Sequence, residues 1–311
     1  MKIMERTFSG DTDLQRMAEL VRKFPTENIH IVDLPYRFSS WSFDYPENIR
    51  LWTDENGQLL AWAILQVPFW KIDYAYHPEF QHTLHPQILK WADEQAGKIV
   101  GTPSGHPAWF VPVLASQTDR IRDLEETGFT SQDNVGENSW TQVLLQHSSP
   151  LSTKEISLPT GFTIRPLDGA KEVDAYVDLH RAVFESKNMT TEWRNRTLQR
   201  PEYIPDLDLI AVSPNGQLAA FCVCWLAEDP NGEISGQIEP MGVHAEYRKL
   251  GLGRAILSEG LRRLQSRGAR QIFVQTDNYR DAAFKLYESA GFRVIKNMLM
   301  YRKNYEPAIG R

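Results

Sequence analysis

The strongest constraint in this sequence is that it repeats itself once. Asn56-Gly57-Gln58-Leu59 returns as Asn215-Gly216-Gln217-Leu218, an offset of 159 residues, and each copy stands before a β-rich apolar stretch. Asn-Gly signals a tight hairpin turn, because both central residues of that turn need a positive φ. Tyr76-His77-Pro78-Glu79-Phe80 resembles Val243-His244-Ala245-Glu246-Tyr247 at an offset of 167, with a helical pattern after each copy. Thr127-Gly128-Phe129 resembles Ala290-Gly291-Phe292 at an offset of 163. Three matches in the same order, with offsets that differ by eight residues at most, predict two copies of one αβ unit. A length of 311 residues agrees, because a prior of about 150 residues per domain gives two.

The seam between the copies falls in the polar stretch from His147 to Lys154, which is rich in breakers and has no hydrophobic period. The predicted domains are therefore residues 1–147 and 156–311. In the second copy, Phe162 to Arg165 alternates as a strand, and Val173, Tyr176, Val177, Leu179 and Val183 follow a helical period. Further strands are predicted at Leu209 to Val212, Leu218 to Trp225, Ile234 to Val243 and Ile272 to Thr276, with a final one from Phe292. A helix follows Val243, and another ends at Gly291. This alternation predicts an α/β or α+β fold with helices on a mixed sheet.

Composition narrows the class. A 41% apolar and 24% charged chain is neither disordered nor fibrous. Forty acidic against 34 basic residues give a net charge of −6, which argues against a nucleic-acid footprint and favours small cationic partners. Only Cys222 and Cys224 occur, so no disulfide framework is expected and a reducing cytoplasm is the predicted compartment. The first residues lack the apolar core of a signal peptide, so no export is expected. The densest apolar run, Leu59 to Trp70, is broken by Gln66 and Pro68 and reads as buried strand, with no membrane association.

The chemistry concentrates in Val243-His244-Ala245-Glu246-Tyr247-Arg248-Lys249-Leu250-Gly251-Leu252-Gly253-Arg254, where a predicted strand runs into an amphipathic helix. Two glycines leave amides accessible, the helix start carries partial positive charge, and Arg248, Lys249 and Arg254 add formal charge. Together these residues make an anion cradle suited to a diphosphate. An ordinary tight turn with solvated cations would use the same residues. Ile256 stands where a dinucleotide fingerprint needs a third small residue, and a Gly-Lys-Ser/Thr phosphate loop does not occur.

The order strand, Arg248-x-x-Gly251-x-Gly253, helix, strand, and Tyr287-Glu288-Ser289-Ala290-Gly291-Phe292 resembles the acetyl-CoA-binding core of the GNAT N-acetyltransferase superfamily. The resemblance covers about residues 160 to 305 and extends weakly over the first half through the repeat. It implies two tandem GNAT-like domains, each a mixed, mostly antiparallel sheet flanked by helices. It also implies acetyl-CoA as co-substrate, with the diphosphate on the turn from Arg248 through Lys249, Leu250, Gly251, Leu252 and Gly253 to Arg254. The backbone of Met241, Gly242 and Val243 would pair with the pantetheine arm, and Tyr287 would protonate the departing thiolate. By periodicity alone Tyr287 reads as a core tyrosine. Glu239 is a carboxylate in an apolar strand: it is either the base that takes the acceptor ammonium's proton or a strand-edge residue facing solvent. Pro240 removes a ladder donor beside it, as a bulge would. Where the family often has an asparagine seven residues before the tyrosine, this chain has Arg280; Asn278, two residues further back, is the candidate for that contact.

In the first copy Gln81, Leu84 and Pro86 stand opposite Arg248, Gly251 and Gly253, and Leu124 stands opposite Tyr287. That half therefore reads as a degenerate copy without cofactor chemistry. No metal-ligand spacing is present; His77, His82 and His85 read as surface or loop residues, and the two cysteines as buried small hydrophobes. The expected function is acetyl transfer from acetyl-CoA to a primary amine of a small molecule or peptide by the C-terminal copy, in a monomer or homodimer. The alternatives are a non-catalytic acyl-CoA sensor or interaction protein, and an acceptor of the mycothiol-synthase or aminoglycoside type.

Overall fold

A computed structural model describes residues 2–24, 32–147, 158–278 and 280–307. The seam from Ser148 to Lys154 and the second copy's start at Ile156 lie outside the described residues. The first half forms β1 (Met4–Thr7), α1 (Asp11–Lys23), α2 (Leu34–Phe38), β2 (Ile49–Thr53), β3 (Leu59–Gln66), β4 (Lys71–Tyr76), α3 (Gln81–Ile99), β5 (Ala108–Leu114), α4 (Thr118–Glu126), β6 (Thr130–Ser131) and β7 (Thr141–His147). The second half forms β8 (Thr163–Pro166), α5 (Val173–Phe184), α6 (Thr191–Leu198), β9 (Asp208–Val212), β10 (Leu218–Glu228), β11 (Ile234–Val243), α7 (Leu252–Ser266), β12 (Gln271–Asp277), α8 (Asp281–Ser289) and β13 (Arg293–Asn304).

Compactness gathers these elements into two units, and neither is a single stretch of chain. Unit 1 takes residues up to 31, 40–142 and 296 onward; unit 2 takes 32–39 and 143–295. In unit 1 the strand order is β1-β2-β3-β4-β5-β13, antiparallel except for the parallel pair β4–β5. In unit 2 the order is β8-β9-β10-β11-β12, antiparallel except for the parallel pair β11–β12, and residues 143–147 of β7 lie beside β12. Helices α1 and α3 pack on β3 and β4, as α5 and α7 pack on β10 and β11. Each unit thus has the expected mixed, mostly antiparallel sheet flanked by helices.

The repeated motifs occupy equivalent places. Gly57 (φ 80°) turns β2 into β3 and Gly216 (φ 85°) turns β9 into β10, while Gly128 and Gly291 end α4 and α8 at φ 87° and 98°. Each unit has its own core. Every residue of β3 is buried, which is why Leu59 to Leu65 reads as a continuous apolar run and not an alternating one. In unit 2, α7 buries Leu252, Ile256, Leu257, Leu261 and Leu264 on one stripe, each contributing about 1.5–3 kcal/mol of transfer free energy. Cys222 and Cys224 are buried on one face of β10, as expected. A Cβ at Gly260 of α7 would come within 3.0 and 3.1 Å of their sulfurs, so glycine lets the helix approach the sheet. Among the described residues no helix is long and apolar enough to cross a membrane.

One histidine departs from expectation. His85 is buried, with Nδ1 2.7 Å from Asp123 and Nε2 3.0 Å from the Tyr74 hydroxyl. Its position on the inner face of α3, beside Leu84 and Ile88, puts it in the core whatever its polarity. Burial is the largest influence on its pKa and lowers it to about 4, against partial support from Asp123. A histidine kept neutral in the fold binds fewer protons than in the unfolded chain between these two values. The associated stability is therefore complete above pH 6.5 and lost as the pH falls toward 4, by about 3 kcal/mol. Thermal melts from pH 7 to 4 should show this decline, and His85→Gln should make it shallower.

Candidate functional site

The site starts from a defect in β11. Cys222 of β10 faces Met241 and Cys224 faces Ile238, so Val223 opposes two residues, Glu239 and Pro240. An extra residue on one strand bends it and increases its twist. The bulge begins two residues past Gln237, whose pairing with Phe273 is the last between β11 and β12 in the described register. Beyond it, residues 238–243 pair with β10 and leave β12. The indole of Trp225 donates to the Glu239 carbonyl at 2.7 Å, satisfying a backbone group that the bulge takes out of the ladder.

Met241, Gly242 and Val243 form the one-sided end of β11. A Cβ on Gly242 would lie 2.3 Å from Val183 and 2.9 Å from Phe221, so only glycine lets α5 and β10 crowd this backbone. Past Val243 the chain turns through Arg248, whose Nε donates to the Val243 carbonyl at 3.2 Å. Lys249 has φ 64° and Gly251 φ 88°, and Gly251 caps α7 without any side-chain acceptor. A Cβ at Gly251 would meet nothing within 4 Å. The first amides of a helix have no intrahelical partner, and among the described residues no acceptor is found for the amides from Lys249 to Arg254. Arg248, Lys249, Leu250 and Arg254 are exposed around them. These residues fit a phosphate group: unpartnered N–H groups, a helix start and cations on one open turn.

The turn meets the rest of the candidate set at Gly253, where a Cβ would stand 3.4 Å from Val243 and 3.5 Å from Leu286 of α8. The next residue of α8, Tyr287, is buried and packs edge-on against Phe292 at 5.6 Å. Burial, and then the negative charge of Glu239, hold its phenol well above the ordinary value, so it carries its proton at neutral pH. Glu239 and Tyr287 thus act on one another, although they lie on different elements. Asn278 is exposed just past β12, and Arg280 pairs with Asp277 at 2.8 Å. The basic residues at the far end of α7 and just past it are engaged elsewhere: Arg262 and Arg263 bind Glu259, and Arg267 binds Asp206.

Sequence reasoning missed Tyr36, Tyr176 and His180, all buried in unit 2, of which the first two feel the Glu239 charge. Tyr176 and His180 share a face of α5 at i,i+4 spacing, a signal that was available. Tyr36 is over 200 residues from Glu239 in the chain and left none.

Unit 1 shows the same splay, closed. The register between β4 and β5 is Lys71 with Phe110, and the rest of β4 runs on beside α3 and α4. Tyr74 and Tyr76, at the repeat positions of Met241 and Val243, meet His85, Asp123 and Arg120, and Arg120 hydrogen-bonds the Tyr76 hydroxyl. Without the glycines, α3 begins at Gln81, opposite Arg248, so a helical turn replaces the cradle loop. Pro86 therefore lies inside α3 and not at its first turn.

Residues 173–292 match the model of the Acetyltransferase (GNAT) family. A curated mycothiol acetyltransferase from Thermobispora bispora is 32% identical over 162 residues, covering 50% of this chain and 54% of that protein. One from Salinispora tropica is 32% identical over 158 residues, covering 49% and 52%. The chain spans about half the length of the curated relatives it matches. Among solved structures, a GCN5-related N-acetyltransferase from Sphaerobacter thermophilus covers 99% of this chain and 98% of its own, with a TM-score of 0.66 at 21% identity. A tandem GNAT protein from the clavulanic acid biosynthesis pathway covers 99% and 100%, with a TM-score of 0.65 at 11% identity. Both likenesses concern the fold. If the turn from 248 to 254 is a phosphate cradle, Gly253→Asp should abolish acetyl-CoA binding in calorimetry. The unaltered chain should bind one acetyl-CoA, since unit 1 has no cradle.

Proposed function

We propose, from the match of residues 173–292 to the Acetyltransferase (GNAT) family, that the second half of the chain transfers an acetyl group from acetyl-CoA directly to a primary amine. The observation that carries this reading is the run of amides from Lys249 to Arg254 that find no acceptor among the described residues, opening beside the one-sided end of β11. Amides of the turn, with Arg248 and Arg254, would hold the diphosphate. Backbone groups of Met241, Gly242 and Val243 would hold the pantetheine arm as an added strand, with Asn278 near its far side. Acetyl-CoA supplies the acetyl group as a thioester. Glu239 takes a proton from the acceptor ammonium, directly or through water, because only the neutral amine attacks. A C–N bond forms, the C–S bond breaks, and Tyr287 gives its proton to the leaving sulfur, while the second proton that the nitrogen loses on becoming an amide returns through water to restore the phenol. Its raised pKa suits that role, since the proton is present at working pH.

The curated relatives carry the name mycothiol acetyltransferase, which favours the deacetylated form of mycothiol as acceptor. We take residues 1–147 and 156–311 as the two ancestral copies, and the cytoplasm as the compartment that suits two reduced, buried cysteines. Incubation of acetyl-CoA with deacetylated mycothiol, spermidine and tobramycin, followed by thiol release, tests the transfer. A chain that binds acetyl-CoA but releases no thiol with any of them is a sensor. Tyr287→Phe should slow turnover by about 10²–10⁴-fold at unchanged acetyl-CoA affinity; equal rates would remove Tyr287 from the mechanism.

A further inference from the structure

Unit 2 contains a short piece of the first half of the chain, residues 32–39, whose helix α2 carries Tyr36. Three contacts fix that tyrosine. Its ring packs on Trp193 of α6 at 5.2 Å, the Trp193 indole donates to its carbonyl at 3.2 Å, and its hydroxyl lies 3.4 Å from Nε2 of His180 on α5. His180 is held in turn by stacking on Phe221 of β10 at 5.6 Å. Phe221 is the register partner of Gly242, three residues beyond Glu239. Tyr36 is thereby tied to the strand end that carries the proposed base.

The surroundings are those of a polar site and not of an ordinary core. Tyr176 Oη and His180 Nδ1 are buried without a hydrogen-bond partner among the described residues, as are Nε and Nη1 of Arg194. Arg194 pairs with Asp208 and lies 3.6 Å over the Tyr176 ring. Buried polar groups without partners are rare in native folds, and each calls for a reason. Burial is what chiefly raises the pKa of the phenols of Tyr36, Tyr176 and Tyr287, and the negative charge of Glu239 adds to it in each. Tyr287 is assigned to the leaving sulfur. His180 is neutral, because burial and then the Arg194 charge lower its pKa to about 3.

We infer that Tyr36, supplied by the first half of the chain, is a positioning residue for acetyl transfer: through His180 and Phe221 it holds the end of β11 at Gly242, and with it the strand that carries Glu239. The inference rests on the proposed role of Glu239 as base. It also explains why the degenerate copy is retained, since its segment 32–39 completes the working unit.

Tyr36→Phe keeps the ring against Trp193 and removes only the hydroxyl. It should lower kcat/KM for the acceptor by about tenfold or more, with the acetyl-CoA Kd and the melting temperature unchanged. His180→Phe, which retains the stack on Phe221, should behave alike. In a Glu239→Gln background Tyr36→Phe should have no additional effect, because a residue that acts through Glu239 loses its role with it. A fully active Tyr36→Phe beside a slow Glu239→Gln overturns the inference and leaves the proposed transfer standing, as does an equal Tyr36→Phe loss in both backgrounds. A Glu239→Gln as fast as the unaltered protein, or no thiol release with any amine of the panel, sinks the proposed transfer and this inference with it.

Discussion

The bulge at Glu239 and Pro240 is the constraint on which the site depends. A regular β11 would carry its parallel ladder with β12 beyond Gln237, and its final amides and carbonyls would be spent on protein. Two residues set against Val223 bend the strand away, and the Trp225 indole satisfies the carbonyl the bend releases. The same displacement lies at Glu239, whose charge raises the pKa of the buried Tyr287 phenol beyond what burial does, and it ends β11 at the mouth of a turn whose amides from Lys249 to Arg254 find no acceptor among the described residues. Strand, turn, carboxylate and phenol are therefore one structural event seen from four residues.

The two units show what a splayed parallel pair costs when nothing is meant to enter it. In unit 1 the space is filled by Tyr74, Tyr76, His85, Arg120 and Asp123, joined by hydrogen bonds. In unit 2 the corresponding positions hold Met241, Val243, Leu252, Ala283 and Leu286, which are smaller or apolar. The helix responds too. Gln81 to Leu84 continue α3 backward by a turn, whereas Gly251, in the left-handed region, stops α7 from doing so. Loss of two glycines and gain of a polar plug are thus complementary changes.

The repeat, the alternating strands, the Asn-Gly hairpins and the stripe on α7 were legible in the sequence because each is a local pattern with a period or a turn chemistry of its own. The glycine turn was legible as an anion cradle for the same reason, and Pro240 as a strand defect. Helix α6 was not, because Thr191 to Leu198 is polar and buries Trp193 and Arg194 without an apolar stripe. His85 was misread because the residue type suggested surface while the helical period placed it inside. Tyr36 left no signal at all.

That difference has a physical origin. Local sequence dictates hydrogen-bonding period, turn geometry and which face of an element is apolar, and these sufficed for the class of fold and for the turn from Arg248 to Arg254. What lies beside what across the unit is set by packing between segments far apart in the chain. Only the tertiary structure decided that Glu239 shares its field with three tyrosines, that residues 32–39 belong with unit 2, and that the final residues of β13 belong with unit 1. Burial and charge act through space, and spacing along the chain carries no record of them.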